Sequence, residues 1–204
     1  MNPYFKTPAV VKNLLIANCV IFLAVMLIPQ VDYFCRNYLY LWWLDNSLQA
    51  PFHSYQFVTY MFFHGGFYHL FGNMFALWMF GRTLEYELGQ KRFLTYYMVC
   101  GIGAALIQVG LAALLGEQIV LLGASGAVMG LLLAFGLMHP NNMIYMIPIP
   151  FPIKAKWFVI GYAVLELALG WSGQTGIAHF AHVGGMLWGL VLLLWWKKSG
   201  KIYF

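Results

Sequence analysis

Apolar segments, each close to the length needed to cross a lipid bilayer, follow one another through almost the whole chain. A helix of about 20 residues spans the roughly 30 Å of hydrocarbon in a membrane. The sequence therefore predicts an all-α membrane protein with six transmembrane helices, folded as a single domain over residues 1–204. The predicted spans are approximately 13–29, 57–80, 93–115, 119–138, 157–171 and 177–196. We expect the first of them to be a retained helix and not a cleaved signal peptide, because no small-residue cleavage site follows it.

The composition indicates lipid, and not water, as the main surroundings of the chain. Of 204 residues, 62% are hydrophobic and only 8% are charged, whereas soluble domains carry roughly 25% charged residues. The net charge of +5 comes from basic residues scattered between apolar segments. They form no basic stripe, so nucleic acid is not an expected partner. The cysteines lie far apart in the sequence and predict neither a zinc site nor a disulfide framework. They are Cys19, Cys35 and Cys100.

The basic residues are distributed very unevenly among the predicted loops. Ten of the eleven lie on the side of the N-terminus, and only Arg36 lies on the opposite side. Loops rich in Lys and Arg stay in the cytoplasm, so the pattern predicts that both termini are cytoplasmic. The ten residues are Lys6, Lys12, Arg82, Lys91, Arg92, Lys154, Lys156, Lys197, Lys198 and Lys201.

A small group of polar residues falls at one level of the predicted bundle, just below its outer surface. Polar side chains at membrane depth are costly, and they usually line a functional cavity. Three come from the second segment, one from the start of the fourth, and two from the first turns of the sixth. They are His64, His69, Asn73, Ser125, His179 and His182. Their convergence predicts a site.

This inventory matches the chemistry of a serine hydrolase. Ser125 would be the nucleophile and His182 the base that takes its proton. His69 and Asn73, spaced i and i+4, project from one helix face and could donate hydrogen bonds to an oxyanion. Glu166 is the one carboxylate that could reach His182. A Ser–His dyad without it is the more economical prediction.

Other interpretations of the same residues stay open at this point. Ser125 could be a small packing residue at a helix crossing, and the histidines could be structural or could relay protons. His69 and Asn73 could simply tie helices together. A metalloprotease is disfavoured because no H-E-x-x-H motif is present. An aspartyl protease is disfavoured because Asp32 and Asp45 both lie in the outer loop. No metal or other cofactor is therefore predicted.

Four sequence motifs, in order along the chain, closely resemble those of the rhomboid family of intramembrane serine proteases. They are HGGFYHLFGN at 64–73, GRTLEYELG at 81–89 followed by Tyr96, GASG at 123–126, and AHVGG at 181–185. The resemblance implies a rhomboid-like six-helix bundle with Ser125 as nucleophile and His182 as base. It also implies an oxyanion hole made by His69, Asn73 and the backbone N–H of Ser125.

The resemblance also suggests supporting residues. His64 matches a position where a hydrogen-bonding role is expected, and Gly123 precedes the nucleophile. Met129 stands where many relatives have an aromatic residue, and we expect its thioether to pack on the His182 ring. His179 matches no catalytic position of the family.

The glycine pairs Gly126/Gly130 and Gly185/Gly189 resemble small-xxx-small faces, so the fourth and sixth helices should meet inside the bundle.

The resulting prediction is a multi-pass protease of the bacterial inner membrane, with an active site that opens to the outer side. Its expected partners are the lipid bilayer and membrane-protein substrates whose transmembrane segments unwind easily. Two alternatives come from other classes. One is a catalytically silent rhomboid-like protein that binds membrane helices. The other is a small transporter or proton relay, although no inverted repeat is visible.

Overall fold

The computed structural model describes residues 6–43, 52–145, 151–172 and 178–204. Within them the chain is mostly helical, with four very short strands paired as β1–β2 and β3–β4. The helices are α1 Ala9–Leu27, α2 Pro29–Tyr38, α3 Gln56–Thr59, α4 Phe67–Ala76, α5 Arg82–Leu88, α6 Gln90–Leu115, α7 Ser125–Met138, α8 Ala155–Ser172 and α9 His179–Lys198. The strands are β1 Leu41–Trp43, β2 Ile119–Leu121, β3 Met143–Ile144 and β4 Ile153–Lys154. Asp45 and Ile177 lie outside the described residues.

The second predicted segment, 57–80, is not one regular helix. It contains the short helix α3, a 3-10 turn at Tyr60–Phe62, and four non-helical residues before α4 begins at Phe67. Gly65 and Gly66 fall in this break, and glycine is a poor helix former. His64 therefore lies before the helix and not within it, contrary to the sequence prediction. The helical path then continues through a π-helical turn at Leu77–Gly81 into α5.

The fourth predicted segment, 119–138, also begins differently. Residues Ile119–Leu121 form β2, which pairs antiparallel with β1, and the helix starts only at Ser125. Between them Gly123 has a φ of +116°, a backbone conformation that residues with a side chain rarely adopt. This turn ends the strand and places Ser125 at the first position of α7.

The centre of the bundle is a close contact among α6, α7 and α9. A Cβ atom added at Gly185 would overlap the carbonyl oxygen of Gly126, so the backbones of α7 and α9 touch there. The sequence prediction that these two helices meet through their glycines is confirmed. A Cβ at Gly130 would overlap the Cys100 side chain of α6. The Tyr96 hydroxyl of α6 donates a hydrogen bond of 2.8 Å to the Gly130 carbonyl.

Contacts between the helices define two ends of the bundle. Ser125 of α7 lies beside His182 near the start of α9, at what we call the serine end. Helix α6 runs opposite to α9, because its Gln108 accepts a hydrogen bond from the Ala181 N–H and its Tyr96 packs against Gly189. The other end, called the basic end, carries Arg82, Lys91, Arg92, Lys154, Lys156, Lys197 and Lys198.

Glu85 explains part of the 81–89 motif. Its buried carboxylate accepts hydrogen bonds from the backbone N–H groups of Val10, at 2.9 Å, and Val11, at 2.7 Å. These are first-turn donors of α1, which have no partner within their own helix. Helix α1 has no capping side chain of its own. Glu85 therefore caps α1 from a different helix and ties it to the bundle.

Three helices of the described residues, α1, α6 and α9, are long and apolar enough to cross a membrane, and α7 is a shorter apolar helix. Their outer faces are apolar as well. Leu187, Val191, Leu194 and Trp195 are each about half exposed and lie along one side of α9. Apolar surface of this extent is stable only in lipid. The chain is a membrane protein.

Candidate active site

The side chains of Ser125 and His182 meet at the serine end of the bundle. The Ser125 hydroxyl and His182 Nε2 are 2.8 Å apart, a hydrogen-bonding distance. Ser125 begins α7, and His182 lies in the first turn of α9. The contact between Gly126, the residue after Ser125, and Gly185, three residues after His182, sets the spacing of these two helices beside the pair. The hydrogen bond therefore rests on a rigid backbone contact.

His69 projects from α4 toward the same serine. Its Nδ1 accepts a hydrogen bond of 3.3 Å from the Gly65 N–H. A neutral imidazole that accepts at Nδ1 carries its proton on Nε2. A Cβ added at Gly123 would lie 2.7 Å from that Nε2 and 3.8 Å from the Ser125 hydroxyl oxygen. The Nε2–H of His69 therefore lies at the turn that precedes Ser125, which only glycine leaves open.

Asn73 lies one turn after His69 on α4 and is buried. Its side-chain nitrogen donates a hydrogen bond of 2.8 Å to the His69 carbonyl oxygen. An amide nitrogen carries two hydrogens, so this bond occupies one of them and fixes the orientation of the group. Both residues of the predicted i, i+4 pair are thus held on one face of α4.

His64 packs beside His69 and is buried. The two rings meet edge to face, with their centroids 5.1 Å apart. Neither ring nitrogen of His64 has a hydrogen-bond partner among the described residues. Met129, one turn after Ser125, is partly buried against the apolar core. Its expected contact with the His182 ring stays a prediction.

Glu166 of α8 completes the set of polar groups around His182. Its Oε2 atom lies 2.9 Å from His182 Nδ1 and 2.6 Å from His179 Nδ1. The carboxylate is buried, with 3% of the residue exposed. The sequence left open whether Glu166 reaches His182 and favoured a dyad without it; in the structure the carboxylate lies within hydrogen-bonding distance of the imidazole.

The sequence held a signal that Glu166 has a partner, although it did not identify which residue that partner is. Glu166 is an acidic residue in an apolar helix, and such a group needs a partner. His179 and His182 are spaced i and i+3, so they share one face of the next helix. What the sequence lacked was the distance between α8 and α9, which depends on the whole bundle.

Within the part of the chain that the structure describes, the same three residues form a group that could hold a metal ion. The ligand atoms of Glu166, His179 and His182 lie within 4.8 Å of one another, and two imidazoles with a carboxylate are a zinc-type donor set. However, separations of 2.6 and 2.9 Å between nitrogen and oxygen are those of charge-assisted hydrogen bonds. One proton on each Nδ1, donated to the Glu166 carboxylate, accounts for both distances.

Comparison with known proteins places the chain among relatives. The Rhomboid domain matches residues 51–198, which is most of the chain and includes every motif noted above. The chain belongs to the rhomboid family. This confirms the resemblance seen in the sequence, and the family includes serine proteases.

Several curated rhomboid proteins are similar to this chain. Rhomboid protein 1, mitochondrial, of Saccharomyces cerevisiae is 35% identical over 133 residues, which cover 64% of this chain and 38% of the relative. Rhomboid-like protein 11, chloroplastic, of Arabidopsis thaliana is 31% identical over 162 residues, or 68% and 51%. RHOMBOID-like protein 5 of Arabidopsis thaliana is 33% identical over 150 residues, or 73% and 46%.

This rhomboid chain thus spans about two fifths to half of the length of these relatives. Two of the three names place their proteins in mitochondria or chloroplasts. The predicted bacterial inner membrane therefore gains no support from the relatives, whereas a membrane location agrees with all of the findings.

Proposed function

We propose that this rhomboid protein is an intramembrane serine endopeptidase, which hydrolyses a peptide bond in or next to the transmembrane segment of other membrane proteins. The observation that carries the proposal is the 2.8 Å hydrogen bond between the Ser125 hydroxyl and His182 Nε2. An aligned nucleophile and base are the minimum that acyl transfer requires. A protein that only bound membrane helices would not need this geometry.

The reaction follows from the positions of these groups. His182 Nε2 removes the Ser125 proton as the serine oxygen attacks the substrate carbonyl carbon. The carbonyl oxygen becomes an oxyanion, which the Ser125 N–H, the His69 Nε2–H and the Asn73 amide would stabilise. His182 then gives its proton to the leaving amine nitrogen as the peptide bond breaks. A water molecule, deprotonated by the same base, hydrolyses the acyl-enzyme and releases Ser125.

The substrate class follows from the physics of a helix in lipid. A peptide bond inside a transmembrane helix is protected, because its N–H and C=O groups are already hydrogen-bonded. The substrate must unwind before Ser125 can reach the carbonyl. We therefore expect preferred substrates to carry Gly, Ala, Ser or Pro near the end of the segment that enters the serine end, with a small residue before the cleaved bond.

Labelling with a fluorophosphonate probe, together with cleavage of a single-span substrate, tests the proposal in detergent. The wild type should react and cleave, and Ser125→Ala should do neither. His182→Ala should also lose turnover, and the double variant should be no worse than either single variant because the two residues act as one unit. Ser199→Ala is the matched control, since Ser199 lies beyond α9 at the basic end.

Two results would overturn the proposal. An unreactive wild type that still bound membrane helices would identify a catalytically silent rhomboid protein. Unchanged cleavage by Ser125→Ala would show that another nucleophile acts.

A further inference from the structure

We infer that Glu166 is a positioning residue for the reaction, which holds His182 in the tautomer that can act as a base and stabilises its protonated form. The inference rests on the proposed function, because it assigns a role within that site. It extends the predicted Ser125–His182 dyad by Glu166 as a third, positioning residue.

The tautomer follows from the hydrogen bonds on the two sides of the His182 ring. An ionised carboxylate can only accept hydrogen bonds, so the group 2.9 Å from Glu166 Oε2 must be a protonated Nδ1. A neutral ring protonated at Nδ1 has its lone pair on Nε2. That nitrogen faces the Ser125 hydroxyl at 2.8 Å. The resting site is therefore already in the protonation state that the first step needs.

His179 explains how a carboxylate can be kept at this depth. Its Nδ1 lies 2.6 Å from the same Oε2 atom, so the carboxylate oxygen receives two hydrogen bonds. A buried charge with several donors is stabilised, whereas an unpaired one is not. These contacts also fix the direction of the carboxylate, so that Oε2 stays aligned with the His182 ring.

During the reaction the charge on Glu166 acquires a second role. His182 becomes an imidazolium when it takes the Ser125 proton on Nε2, while its other proton stays on Nδ1. The negative carboxylate 2.9 Å away stabilises this cation. The Nε2 proton later goes to the leaving amine nitrogen, so the carboxylate itself gains and loses no proton. Glu166 acts only through His182.

The decisive variant is Glu166→Gln, which keeps the shape but removes the charge. Its amide N–H₂ can donate to His182 Nδ1 and so favour the tautomer that carries its proton on Nε2. In a comparable serine–histidine–aspartate site the wrong tautomer lowers kcat by about 10⁴. We expect kcat to fall by about 10² to 10⁴ with KM nearly unchanged, since the Glu166 side chain is buried behind His182. Glu117→Gln makes the same change at an exposed glutamate and should keep wild-type kcat.

Two further measurements separate positioning from a purely structural role. Added formate should restore part of the kcat of Glu166→Ala, because a free carboxylate can occupy the vacated space, and formamide should not. Nitrogen-15 NMR of labelled histidine should show His182 protonated at Nδ1 in the wild type. The signal is assigned by its loss in His182→Ala. This measurement needs neither turnover nor a stable Glu166 variant.

The outcomes distinguish this inference from the proposed function. If the wild type neither cleaves nor reacts with fluorophosphonate, the proposed function falls, whatever Glu166 does. If the wild type is active and Glu166→Gln keeps its kcat, only the role of Glu166 is overturned. His182 protonated at Nε2 in the active wild type would overturn it as well. So would turnover that a chelator abolishes and zinc restores, because Glu166 would then be a metal ligand.

Discussion

At the scale of single residues, hydrogen-bond donors lie beside Ser125, where the proposed reaction would develop a negative charge. The Gly65 N–H occupies His69 Nδ1 and leaves the protonated Nε2 at the Gly123 turn. Asn73 is held by its bond to the His69 carbonyl. Donors fixed before the reaction cost no reorganisation when the oxyanion forms.

These positions predict the effects of His69→Ala and Asn73→Ala. Each removes one oxyanion donor and should lower kcat about a hundredfold, or roughly 3 kcal/mol. KM should change little, because the interaction is made in the transition state. Residual activity is expected, since the Ser125 N–H remains. Steady-state cleavage of a single-span substrate measures both constants. Unchanged turnover with a lower melting temperature would identify both residues as ties between helices.

The candidate site shows what kind of information a sequence contains about single residues. The sequence allowed four site residues to be selected, because each is a polar residue whose distance from the end of its apolar segment can be counted. They are His69, Asn73, Ser125 and His182. The pairing of Glu166 with His182 could not be selected in this way, because a shift of α8 by one turn would separate the two. His64 was misplaced for a different reason. Hydropathy does not register a break at Gly65 and Gly66 when the flanking residues are apolar.

At the scale of elements, helix α1 depends on a cap supplied by another helix. Glu85→Ala would leave the partly buried N–H of Val10 and the buried N–H of Val11 without their acceptor. We expect it to destabilise the protein by about 2 to 4 kcal/mol, because hydrogen bonds to a charged group are lost and donors stay unsatisfied.

Glu87→Ala provides the matched control for this change. Glu87 lies on the same helix, its side chain is 33% exposed, and it contacts His139 at 3.0 Å. A pair this exposed contributes less than about 1 kcal/mol. Thermal unfolding in detergent, followed by tryptophan fluorescence, compares the two variants. Equal melting temperatures would contradict the cross-helix cap.

The contact between α7 and α9 gives a second prediction at this scale. Gly185→Ala places a Cβ atom on the Gly126 carbonyl oxygen. Relief of this overlap requires one helix backbone to move, because no flexible side chain is involved. We expect a loss of about 1 to 3 kcal/mol, together with weaker turnover, because Ser125 precedes Gly126 and His182 lies about one turn before Gly185. Gly161→Ala on α8 has nothing within 4 Å of the new Cβ and should be neutral or slightly stabilising. Similar losses in both variants would mean that helix propensity, and not the contact, is responsible.

The sequence predicted the helices unequally well, and the reason is physical. Helices α6, α8 and α9 begin and end within a few residues of their predicted segments, because each apolar stretch there is helical along its whole length. Helices α4 and α7, in contrast, start several residues after their apolar stretches begin. At both places an apolar stretch enters the bundle as strand or turn, since the site needs Gly123 and residues 63–66 in non-helical conformations.

At the scale of the whole molecule, the ten basic residues and the site lie toward opposite ends of the chain's helices. Helix α8 connects the two ends, from Lys154 just before it to Ser172 at its last position. Its 18 residues correspond to about 27 Å at 1.5 Å per residue, close to the roughly 30 Å of a bilayer core. If the positive-inside rule holds here, the serine end faces away from the cytoplasm.

Cysteine labelling of sealed vesicles tests this topology. The parent carries Cys19→Ser, because Cys19 is exposed whereas Cys35 and Cys100 are buried. Single cysteines at Gln118 and Ser172 should react with a membrane-impermeant maleimide added from the outer side. Cysteines at Lys91, Lys154 and Lys198 should react only after the membrane is permeabilised, which also serves as the control for intrinsic reactivity.

The pair at Lys154 and Ser172 carries most of the information, because the two positions bracket a single helix. Opposite labelling of this pair means that α8 crosses the membrane. Labelling of both positions from the same side would contradict the six-span topology. Opposite labelling with all five positions inverted would keep the bundle but reverse its orientation. The substrate would then have to present its unwound segment from the cytoplasmic side, since the bond between Ser125 and His182 stays at the serine end.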